Sequence, residues 1–164
     1  MLFGRVATWE HDVFPAWRRS ANNALRPNSD VWGNLPQNVC WLVANIDDID
    51  TSRLYVIGSS DWMETFGTYK VQDIAAKPSS TTDDKYKHNS RIKGIGVAYS
   101  LGKNLEPIIL VCHSGEGPFV VVDGNHRAVA MQKEGLLVGK QVFVGMHARM
   151  GTEFNWFGQS FPPV

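Results

Sequence analysis

The sequence predicts an α/β (α+β) fold, a small mixed β-sheet with packed helices, in a single domain covering residues 1–164. Three observations lead there. Four consecutive β-forming apolar residues, 119–122, stand between Pro118 and the turn pair Asp123-Gly124, and good helix formers follow at once as far as Gly135. Apolar runs at 39–46, 108–113 and 141–146 read as further strands. A hydrophobic fraction of 43% in 164 residues is normal for a globular chain, excludes disorder of the whole and suits one core.

Taken in order, residues 15–25 read as a helix: Pro15 suits the first turn, Pro27 ends it, and Phe14, Trp17, Ala21 and Leu25 share one face. Arg18 and Arg19 point elsewhere, to a solvated edge, and 26–37 is a Pro-, Asn- and Ser-rich loop. Strands are expected at 39–46 and 54–57. The intervening Asp47-Asp48-Ile49-Asp50 lacks the central Gly and distal Glu of a calcium loop and reads as a turn or helix start. Trp62, Met63 and Phe66 are expected over the core, and 68–74 as a further strand. Residues 75–89 read as an exposed loop. Gly94, Gly96 and Gly102 leave the helix expected over 95–104 weak and short. Pro107 is tolerable only at the start or edge of the strand at 108–113. Ser114-Gly115-Glu116-Gly117 is a hairpin loop leading to 119–122, and 141–146 is the last core strand.

The junction at Asp123-Gly124-Asn125-His126-Arg127 concentrates the chemistry. A Gly just before a helix lets the backbone approach a ligand, and the first helical N–H groups lack intrahelical partners. With the helix dipole and the cation-capable His126 and Arg127 in the first turn, this is a candidate phosphate or carboxylate site. Asn125 is the expected N-cap. The same residues also read as an ordinary tight turn followed by a solvated arginine.

The segment 90–138 resembles the ParB N-terminal and sulfiredoxin-like superfamily. It has, in that order, a helix ending at Gly102-Lys103-Asn104, the strand box Leu105-Glu106-Pro107-Ile108-Ile109-Leu110-Val111, a hairpin, and Asp123-Gly124-Asn125-His126-Arg127-Ala128. The resemblance implies a core over 68–150, an N-terminal elaboration over 1–67 and an aromatic C-terminal tail over 151–164. It also implies ATP, ADP or CTP with magnesium as ligand. Gly124, His126 and Arg127 match the family's nucleotide-phosphate contacts, with Asn125 beside them. Asn125 stands where sulfiredoxins keep their reactive cysteine, and a carboxamide is no thiolate nucleophile. The paired arginines of the CTP-using partition proteins are also absent. Among the implied roles, Asp123 is a magnesium ligand or general base, His126 an acid–base group, Glu106 a second catalytic carboxylate, and Arg91 and Lys93 outlying phosphate contacts.

Charge and cysteines narrow the partners. Sixteen basic and sixteen acidic residues cancel, which argues against coating duplex nucleic acid, although Lys85, Lys87, Arg91, Lys93 and Lys103 with His88 form a local basic cluster. Cys40 and Cys112 each sit in an apolar run and read as buried small hydrophobes. His113 and His147 read as satisfied or exposed rather than as ligands. No signal-peptide pattern or membrane-length apolar run is present, so a cytoplasmic protein is expected. Three functions follow as expectations: a nucleotide-dependent kinase or hydrolase acting on a nucleotide or phosphorylated small molecule; a nuclease or DNA-binding protein; or a non-catalytic module that binds a protein partner through Phe154, Trp156, Phe157 and Phe161.

Overall fold

Apolar runs of strand length pair into one six-stranded sheet in the computed structural model, which describes residues 1–20, 35–80, 82 and 84–153. The strands are β1 (Leu2–Ala7), β2 (Cys40–Asn45), β3 (Leu54–Val56), β4 (Ile108–Cys112), β5 (Phe119–Asp123) and β6 (Gln141–Met146). Their spatial order is β1-β2-β6-β4-β5-β3. The β6–β4 and β5–β3 pairs are parallel and the other three antiparallel, so the sheet is mixed, as expected.

The central strands β4 and β5 are buried along their whole length because helices cover both faces. Ile108, Leu110 and Cys112 face one side with Phe119 and Val121; Ile109 and Val111 face the other with Val120 and Val122. On the first side pack α3 (Ser60–Phe66), α4 (Val71–Ala76), α5 (His88–Ser100) and α6 (Asn125–Lys133), through Trp62, Phe66, Val71, Ile74, Ile92, Ala128 and Met131. The second side is closed by a π-helical turn (Trp9–Val13), α1 (Phe14–Ser20) and Met150 at the start of α7 (Met150–Glu153). Trp9, Phe14, Trp17 and Trp41 meet there, with ring centroids 5.5–5.8 Å apart. Of these, Trp17 and Trp41 are buried and each contributes about 1.5–3 kcal/mol by leaving water, while Trp9 and Phe14 are partly buried and contribute less.

Several expectations are corrected. Residues 68–74 are not a strand: Lys70 makes one bridge to Tyr55, and Val71 to Ala76 is α4. Val71 and Ile74, three apart, are both buried, so the helical period outweighs their β-branched chemistry. The helix predicted over 95–104 starts seven residues earlier and runs through Gly94 and Gly96. Its start is held by Asp84, whose carboxylate accepts the N–H groups of Tyr86, His88 and Asn89 at 2.8–3.0 Å. Burial works to raise the Asp84 carboxyl, but those donors outweigh it and hold it below the usual range. The exposed loop predicted over 75–89 is therefore shorter: Ala75 and Ala76 close α4, and the buried His88, with Asn89, opens α5. Met63 is 41% exposed, unlike Trp62 and Phe66. Cys112 is buried, which pushes its thiol up to about 12, whereas Cys40 is exposed.

The turn at 47–50 includes the start of α2 (Asp48–Thr51), where Asp47 and Asp50 accept each other's N–H and bind the Met1 amino group at 2.6 and 3.1 Å. Residues 1–67 supply β1, β2 and β3, half of the sheet. The far end of the predicted N-terminal helix (21–25), the loop up to residue 34, the side chains of Arg18 and Arg19, and Phe154, Trp156, Phe157 and Phe161 lie outside the described residues. Among the described residues no helix is long and apolar enough to cross a membrane.

Candidate functional site

β5 ends at Asp123 and the chain reverses within a single residue. Gly124 makes this turn at φ +89°, and a Cβ there would fall 2.7 Å from both Arg127 Nη2 and Ile108 Cγ2, so only glycine fits. Helix α6 follows at once. Ala128 is the first residue whose N–H closes a turn, onto Gly124 O at 2.8 Å, and no side chain caps the start. The amides of Asn125, His126 and Arg127 thus stand at the positive end of the helix with no intrahelical acceptor.

Asn125 is the first helical residue rather than the N-cap that the sequence led one to expect; Gly124 holds that position. Its Oδ1 accepts the Ile57 N–H at 2.8 Å, fastening the segment after β3 to the start of α6. Arg127 folds back under the turn. Its Nη2 donates to Asp123 Oδ2 at 2.9 Å and lies 3.4 Å from Pro107 O. The two side chains are only 12% and 8% exposed, and Arg127 Nε has no hydrogen-bond partner among the described residues. Asp123, the expected magnesium ligand or base, is thus held in an ion pair. Among the described residues no group of three or more His, Cys, Asp or Glu side chains is placed to hold a metal ion.

His126 leaves the same helical turn toward α5. Its Nε2 lies 2.8 Å from Nδ1 of His88, the first residue of that helix. His88 is buried and stacks on Trp62, with centroids 4.2 Å apart and planes 26° apart. Its Nε2 approaches Asp61 Oδ2 at 3.1 Å, though not along hydrogen-bond geometry. The other Asp61 oxygen accepts the Ser59 hydroxyl. Burial pushes the His126 imidazole down to about 4, and the neighbouring His88 and Arg91 add to that, against the opposing pull of Asp61 and Asp84. Burial also lowers His88, where Asp61 offsets part of the effect. Both rings are therefore neutral at pH 7.

These groups line one open cleft of about 850 Å³ between α3, α5 and the start of α6. Of the residues singled out in the sequence, Asp123, Gly124, Asn125, His126, Arg127 and Arg91 share it. Lys93 and Glu106 do not: Lys93 lines a separate hollow with Phe66, Ile74 and Lys133, and Glu106 another with Tyr99 and Lys140. Arg91 and Lys93 part company because residues two apart on a helix point to different faces. The cleft also contains residues that the sequence reading did not choose, chiefly Asp61, Trp62, Tyr86 and His88. His88 was counted there only as part of the basic cluster. Its signal was the spacing His88–Arg91, three apart and hence on one helical face, but that signal required knowing that the helix begins at His88. The basic cluster itself is dispersed: Lys85 sits 3.8 Å from Glu64 and 4.7 Å from the Tyr86 ring centroid.

Comparison of the chain with protein-family models, with curated proteins and with solved structures finds no match.

Proposed function

We propose that the cleft binds the phosphate end of a nucleotide or phosphorylated small molecule and serves phosphoryl transfer or phosphate hydrolysis. The observation that carries this reading is the convergence, in one cleft, of the uncapped start of α6, the exposed cation Arg91 and the neutral imidazole of His126. Phosphate oxygens suit backbone N–H groups at a helix start, where the dipole favours negative charge, and Gly124 permits the left-handed turn that sets those N–H groups in place. Arg91 supplies the mobile charge. Arg127, held by Asp123, keeps the turn in shape. Reactions of this class depend on positioning and charge stabilisation more than on covalent chemistry, so a small set of groups suffices. With Asp123 paired, magnesium enters this reading as the counter-ion a nucleotide carries with it.

A thermal-shift titration with ATP, ADP, CTP and GTP, with and without magnesium, tests the reading. Arg91→Ala is the informative variant because Arg91 is exposed and its loss leaves the Asp123–Arg127 pair intact. Native-state binding at a hundred times the dissociation constant adds about 2.7 kcal/mol. A nucleotide-dependent rise in Tm in the wild type, reduced in Arg91→Ala, is the expected result. No rise with any nucleotide contradicts the reading.

A further inference from the structure

We propose that Asp61, His88 and His126 form a proton relay that makes the cleft hydrolytic, with His126 Nδ1 as the base that deprotonates a water attacking a bound terminal phosphoryl group. The proposal rests on the phosphate reading of the cleft and adds the reaction to it. A carboxylate can only accept, so the Asp61 oxygen 3.1 Å from His88 Nε2 favours the tautomer with the proton on that nitrogen. His88 Nδ1 is then an acceptor, and the nitrogen 2.8 Å away, His126 Nε2, must be the donor. That leaves the lone pair of His126 on Nδ1. This atom makes no hydrogen bond to a described residue and is not one of the buried atoms lacking a partner, so it keeps some exposure, on a residue that lines the cleft. It does so on the first turn of α6, beside the amides that would hold the phosphate.

The step balances without a redox partner. Water gives a proton to His126 Nδ1 while its oxygen forms the new bond to phosphorus. The bond from phosphorus to the leaving oxygen breaks, and that oxygen keeps the electron pair. The His126 Nε2 proton passes to His88 Nδ1, so the imidazolium charge settles between Trp62 and Asp61, where a carboxylate and an aromatic face stabilise it. Protonation of His88 strengthens the Asp61 approach, which is off-axis in the resting site; catalytic hydrogen bonds often tighten only with substrate bound. The leaving oxygen takes its proton from solvent on the opposite side of the phosphorus, and the reverse shift brings the captured proton back to His126 Nδ1, which gives it up to solvent. The charged and titratable groups facing the pair are Asp61 of α3, Asp84 and Tyr86 of the preceding loop, Arg91 of α5, and Asp123 with Arg127 behind the turn.

Phosphate release from ATP and from p-nitrophenyl phosphate, followed across pH in the wild type, His88→Gln and Asp61→Asn, tests this, with ATP binding measured separately on each protein. His88→Gln keeps an acceptor for His126 but cannot take the proton; the expected loss is about 100-fold or more in kcat, with KM unchanged. Asp61→Asn, at a partly exposed position, guards against a folding failure of the first variant. Because Asp61 raises both imidazoles, its loss is expected to move the acid limb of the rate profile to lower pH. A merely structural Asp61 would leave that limb in place, which overturns the proposal. Release from neither probe by a wild type that binds ATP also overturns it and leaves the phosphate reading standing. Absence of both binding and release overturns the two together.

Discussion

His126 and Arg127 are neighbours in one helical turn, yet the fold uses them in opposite ways. Arg127 bends back to Asp123 and the start of β4 and is nearly out of solvent. His126 reaches across to α5, where it meets a second imidazole and, through it, Asp61. The first side chain holds the turn, and the second lines the cleft. A motif of five residues thus divides into architecture and chemistry, and the division follows from the partners each side chain finds rather than from its own charge. Arg91, which belongs to no motif, is the exposed cation of the cleft.

The sharpest way to break this comparison is to remove the architectural half. Arg127→Ala takes away the guanidinium that pairs with the buried Asp123 carboxylate, and breaking a buried pair costs about 3–5 kcal/mol. Urea or thermal unfolding of the variant is expected to show that loss directly. A variant as stable as the wild type would mean that Arg127 is available for ligand rather than spent on the turn.

A smaller effect belongs to the chemical half. His126 titrates near 6.5 when unfolded and at about 4 in the fold, so between those values the unfolded chain binds more protons. Stability is full above about pH 6.5 and falls as pH drops through that window, by on the order of 2 kcal/mol once solvent screening is allowed for. Asp12 and Asp47, both held at about 2, lose their contribution lower, between their ordinary range near 3.8 and that value. Unfolding free energies measured from pH 7 to pH 4 are expected to slope in the wild type and to slope less in His126→Gln, where the lowered His88 still contributes. An equal slope in both would show that His126 is not buried neutral.

Those two halves were unequally legible in the sequence. The strands at 108–112, 119–123 and 141–146 and the Asp123-Gly124 reversal could be read because apolar runs, a hairpin loop and a glycine act locally. Val71 and Ile74 misled because β-branched residues speak for a strand until their spacing is set against a covering helix. Gly94 and Gly96 misled because helix propensity is a weak term beside the Asp84 contacts and the packing of Ile92. Cys40 misled because an apolar run marks a strand and does not say which way each residue faces. The site divides along the same line. Gly124 and Arg127 act within a few positions of their partners, whereas His126 and His88 are 38 positions apart. Asp61 comes from a segment where only Trp62, Met63 and Phe66 were singled out, as cover for the core, and where no helix was expected. Glu106 and Lys93 were drawn in by proximity in sequence, and the fold turns them toward other hollows.

Localising the ligand tests the central claim most directly. In an NMR titration of the isotope-labelled protein with ATP and with inorganic phosphate, saturable shifts are expected in the amides of Asn125, His126 and Arg127, in the His126 ring and in the Arg91 side chain. Saturable shifts confined to the hollow around Lys93 and Lys133, or no saturable shift anywhere, would contradict the assignment of this cleft as the phosphate site.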